Sequence, residues 1–79
     1  MNKILYAIIS VAGNGGQTMD SYLKEESAIN RSKEIIEHIK NNKREGYKVY
    51  LSELEYDSYN NRILSDSLID DESILLFQY

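Results

Sequence analysis

Seventy-nine residues with no cysteine, no proline and one histidine exclude a disulfide framework, a thiolate metal site and a conventional zinc site, so no metal or cofactor is expected. One domain spanning 1–79 is expected, and a chain this short buries only about 60% of the surface its unfolded form exposes, a limit that a homodimer would relieve. The net charge of −4 is unevenly spread: residues 51–79 carry Arg62 alone against Glu53, Glu55, Asp57, Asp66, Asp70, Asp71 and Glu72, a field that repels phosphates, disfavours direct nucleic-acid binding and attracts a basic partner.

Met1–Ala12 opens the chain with branched and aromatic residues that are apolar on nearly both faces, the pattern of a central strand. The apolar run Ile4–Ala12 behind Lys3 is too short to span a bilayer and lacks a good signal-peptide cleavage site, so a cytoplasmic protein with no membrane partner is expected. Gly13, Asn14, Gly15 and Gly16 supply the positive φ angles of a tight hairpin turn. Gln17–Leu23 then reads as the return strand, with a helix starting at Asp20 or Ser21 and capped by Asp20 as its rival.

The segment Ser27–Lys43 is the longest periodic stretch. Ala28, Ser32, Ile35, Ile36 and Ile39 fall three and four apart on one stripe, while Arg31, Lys33, Glu34, Glu37, His38 and Lys40 point elsewhere. Glu25 and Glu26 precede it, Lys40, Lys43 and Arg44 close it, and Gly46 is the expected stop, an order that suits the helix dipole. Small residues at 28 and 32 let the first turns approach a flat surface, so the expected partner of the stripe is a sheet.

Tyr47–Tyr56 alternates Tyr47, Val49 and Leu51 against Tyr50, Ser52, Leu54 and Tyr56, a second strand. Residues 57–61, with Asn60 and Asn61 adjacent, form a polar loop of good hairpin chemistry. Arg62–Ile69 reads as a further strand and Asp70–Glu72 as a turn. Ser73–Tyr79 is either an edge strand or a tail that docks on a partner. The order β-β-α-β-β gives an α+β domain: a small antiparallel sheet with one amphipathic helix packed on one face.

No catalytic motif stands out. The glycines at 13, 15 and 16 match neither dinucleotide nor P-loop spacing, so a turn is expected there, with a small-nucleotide grip as the rival. His38 lies off the apolar stripe with no nucleophile or acidic orienter at a suggestive spacing. The run Asp70, Asp71 and Glu72 lacks the alternating oxygen ligands and central glycine of a calcium loop. The seven tyrosines carry more information. Tyr6, Tyr47 and Tyr50 are expected in or beside the core, while Tyr56 and Tyr59, next to Asp57, are expected to be exposed, where tyrosine gives contact area at little entropic cost.

The run ILYAIIS, the Gly-rich turn, KEESAINRSKEIIEHIK and the strand YKVYLSELEY resemble a layout of small accessory proteins of phages and mobile elements of low-GC bacteria, over roughly residues 3–56. The resemblance implies a protein that acts by binding, and no catalytic residue is carried over from it. The expected function is therefore a non-enzymatic acidic protein that binds and inhibits a basic host or defence protein, including a nucleic-acid-binding one, as an anti-CRISPR-like inhibitor does. Its expected contact residues are Tyr56, Asp57, Tyr59, Asp66, Asp70, Asp71 and Glu72, with electrostatic steering of the encounter. The alternatives are a nucleotide-binding or sponge protein, with Gly13–Gly16 near a pocket at a dimer interface, and a structural subunit of a larger assembly.

Overall fold

A computed structural model describes residues 2–79, so Met1 of the expected first strand lies outside the described residues. The elements run β1 (Asn2–Val11), β2 (Gln17–Tyr22), α1 (Glu25–Asn41), β3 (Lys48–Asp57), β4 (Arg62–Ile63) and β5 (Ile74–Gln78). The fold is α+β, with one antiparallel sheet of order β2-β1-β3-β4, and β5 pairs with β3 as well. Strand β1 is central, as its two apolar faces require. It pairs with β2 from Tyr6↔Tyr22 to Val11↔Gln17 and with β3 from Asn2↔Asp57 to Val11↔Lys48.

The period of two along the strands divides the core. On the helix side, Ile8, Val49 and Leu51 meet Ala28 and Ile39 of α1, and Tyr6, Tyr22, Tyr47 and Phe77 pack around them. Ala28 is fully buried and Ser32 is 3% exposed, so the helix does lie close to the sheet at its small residues. The Ser32 hydroxyl is satisfied by donating to the Ile29 carbonyl at 2.6 Å. On the opposite side, Ala7, Ile9 and Leu54 are covered by Ile63, Leu68 and Ile69.

That second cover corrects the expectation of a strand over Arg62–Ile69. Only Arg62 and Ile63 pair with β3, opposite Asp57 and Tyr56. Beyond them, the Leu64 N–H still donates to the Glu55 carbonyl and the Ser65 hydroxyl accepts from the Glu55 N–H. The chain then folds Leu68 and Ile69 over the sheet face. The apolar pairs at 63–64 and 68–69 imitate strand composition, but burying Ala7, Ile9 and Leu54 from water outweighs further ladder pairing. The last segment is the edge strand of the two alternatives left open: β5 pairs from Leu51↔Ile74 to Lys48↔Gln78, with an irregularity at Val49/Tyr50.

The helix limits shift by two residues, so Glu25 and Glu26 form its first turn instead of preceding it. Its stop is not Gly46. The Arg44 N–H donates to the Ile39 carbonyl and the Lys43 N–H to the Lys40 carbonyl, a Schellman closure with Lys43 in the left-handed region at φ 51. Gly46 serves the next turn. At φ 83 its N–H donates to the Tyr79 carbonyl, and its Cα lies so near Gly13 that an added Cβ would sit 3.0 Å from the Gly13 Cα. The two loops at this end of the sheet and the chain's last residue are thereby tied together.

Candidate functional site: an acidic groove at the β3 edge

Strand β3 has two partners on its outer edge, β4 at one end and β5 at the other, and the segment between them returns to the edge through Asp70–Ser73. This return is fixed locally. One Asp70 carboxylate oxygen accepts from the N–H groups of Glu72 and Ser73, and the Ser73 and Ser52 hydroxyls bond at 2.7 Å. Those bonds set Glu72 and Ile74 beside Leu51 and Glu53 of β3, and Glu25 in the first turn of α1 closes the space. The result is a groove of about 260 Å³ with four carboxylates, from Glu25, Glu53, Asp70 and Glu72, around Leu51 and Ile74. Ile74 remains 55% exposed, so the groove offers an apolar wall as well as charge.

The seven expected contact residues do not form one surface. Asp70, Asp71 and Glu72 lie at the groove or its adjoining turn. Tyr56, Asp57 and Tyr59 belong to the β3–β4 turn, where Asp57 is six residues along β3 from Leu51, about 20 Å at the rise of a strand. Asp66 is exposed on the segment crossing the second face. Tyr56 is half-buried, against the expectation of an exposed ring, and its hydroxyl donates to the Asn61 side-chain oxygen. Tyr59 is exposed as expected, at 89%.

Asp57 holds its own turn. Its carboxylate accepts from the Asn60 side-chain amide at 2.6 Å and from the N–H groups of Tyr59 and Asn60. These bonds, the Asn60 amide first, hold the Asp57 carboxyl below the usual range. Asn61, at φ 54, takes the left-handed position that asparagine tolerates.

The Gly13–Gly16 loop closes on itself. The Gly15 N–H donates to the Ala12 carbonyl, the Ala12 N–H to the Gly16 carbonyl and the Gly16 N–H to the Asn14 side chain, so these donors are occupied within the turn. Among the described residues, no group of three or more His, Asp or Glu side chains is arranged to hold a metal ion. No described helix is long and apolar enough to cross a membrane.

Glu25 and Glu53 were not singled out by the sequence. Glu53 precedes Asp70 and Glu72 by 17 and 19 residues and Glu25 by 45 and 47, and they meet because β5 pairs with β3 while the first turn of α1 lies over the same end of the groove. Their one sequence signal is weak: Glu53 places a charge in the helix-facing row that otherwise reads Tyr47, Val49 and Leu51. No family model matches this chain, and no curated protein or solved structure matches it either.

Proposed function

We propose that this protein is a non-enzymatic binding protein of the cytoplasm that engages and inhibits a basic protein partner, such as a nucleic-acid-binding component of host defence. The groove at the β3 edge supports this reading. Its carboxylates suit one lysine or arginine side chain, whose charged head sits among Glu25, Glu53 and Glu72 while the aliphatic stem lies on Leu51 and Ile74. The wider acidic field of residues 51–79 steers the encounter, and the exposed ring of Tyr59 adds contact for a partner large enough to reach it.

The test combines salt and charge reversal. A basic protein retained on the immobilised chain at low salt should be released at high salt, because exposed charge pairs are screened over about 8 Å at physiological ionic strength. Glu53→Lys together with Glu72→Lys should weaken its affinity about tenfold or more, a loss of at least about 1.4 kcal/mol. Affinity unchanged by both salt and the double reversal overturns the reading.

A further inference from the structure

The helix-facing row of β1 reads Tyr6, Ile8, Ser10. Ser10 is 8% exposed and places a hydroxyl in that row, and among the described residues no buried side-chain polar atom lacks a hydrogen-bond partner. Ser10 lines a cleft of about 240 Å³ between the β1–β2 hairpin and the later turns of α1, and its cross-strand neighbour Thr18 lines it too.

The other walls hold two of the chain's nine Lys and Arg residues together with its one histidine. Arg31, His38 and Arg44 all border the cleft. Arg31 is held by Asp20, also in the cleft, at 3.2 Å and by Glu34 at 2.8 Å, so its charge is largely answered. Arg44 makes no ion pair among the described residues. Its guanidinium lies 6.0 Å from the centre of the Tyr47 ring and reaches the Tyr47 hydroxyl at 3.4 Å. The Asn42 amide donates to the His38 carbonyl at 2.8 Å and faces the His38 Nδ1 at 3.2 Å, which makes Nδ1 an acceptor and leaves Nε2–H as the ring's donor. Ile35 and Ile39 complete an apolar wall.

We propose that this cleft binds a small phosphorylated organic molecule. The phosphoryl oxygens take donors from Arg44, His38 and the Ser10 and Thr18 hydroxyls, and the organic part lies on Ile35, Ile39 and the Tyr47 ring. Guanidinium and hydroxyl donors match phosphate oxygens. The cleft is below the 300–1,000 Å³ usual for drug-sized ligands, which restricts the ligand to one phosphate on a small group. This site shares no residue with the acidic groove, so it stands whether or not a basic partner exists.

Amide chemical-shift titrations with phenyl phosphate, inorganic phosphate and phenol test it. Phenyl phosphate should produce saturable shifts at Ser10, Thr18, Arg44 and Tyr47, and each half-molecule should bind at least about tenfold more weakly. Arg44→Ala should weaken binding about tenfold. Ser10→Val should also weaken binding about tenfold, because it removes one of the hydroxyl donors. The proposal is overturned if no titrant shifts these four amides, if inorganic phosphate binds as well as the organic monophosphate, or if Arg44→Ala and Ser10→Val both leave binding intact.

Discussion

The two faces of the sheet are covered in different ways. On one, a seventeen-residue helix presents a regular stripe, and its backbone bonds are satisfied internally wherever it lies. On the other, Ile63, Leu68 and Ile69 bury Ala7, Ile9 and Leu54 from a segment with little regular structure, which must tie itself down with side chains, Asp70 and Ser73 above all. The regular cover supplies stability, and the irregular one supplies shape. The acidic groove forms where the irregular cover rejoins β3.

The largest expected effect tests the regular side. Ile39→Ala, at a position 2% exposed, should cost about 2–5 kcal/mol in urea unfolding. The corresponding Leu68→Ala, in a half-buried cover residue, should cost about 1–2 kcal/mol and should weaken a basic ligand of the groove more than Ile39→Ala does. Equal costs at the two sites would break the comparison.

Glycine substitutions divide the loops in the same way. Gly46→Ala combines a positive φ with a 3.0 Å approach to Gly13, and should cost about 1–3 kcal/mol. Gly15→Ala, at φ 90 with nothing within 4 Å, should cost only about 1 kcal/mol. Thermal unfolding of the two variants reads the difference as the worth of the packed loop contact.

Two smaller effects sharpen the picture at the helix end and the β3–β4 turn. Lys43→Gly should stabilise by about 0.5–1 kcal/mol, because glycine meets no Cβ penalty in the left-handed region. Asp57 has a folded pKa depressed by its Asn60 contact, so its stabilisation is present above the unfolded carboxylate pKa and is lost as pH falls through the folded value. Asp57→Ala should therefore reduce the fall in stability on acidification, seen by comparing urea midpoints at neutral and acid pH.

What was legible in the sequence follows the same division. The alternation of Tyr47, Val49 and Leu51 against Tyr50, Ser52, Leu54 and Tyr56, and the stripe from Ala28 to Ile39, each repeat at a period set by local geometry. The helix stop was misplaced because glycine is the usual left-handed residue, while here Lys43 takes that conformation. Arg62–Ile69 was misread because a covering segment and a strand bury the same residue types. The groove was only half legible: Asp70 and Glu72 stand out in an acidic run, but Glu53 joins them through the pairing of β5 with β3 and Glu25 through the packing of α1 on the sheet. The Ser10 cleft left no trace in charge counts, since residues 1–50 carry eight Lys or Arg against six Asp or Glu.

The most direct measurement of the groove's role is an amide chemical-shift titration with a short arginine-containing peptide at low and high salt. The account predicts saturable shifts centred on Glu53, Glu72 and Ile74 that disappear at high salt. Shifts centred on Tyr59 and Asp66, or a weak response spread without saturation over every acidic residue, would contradict it.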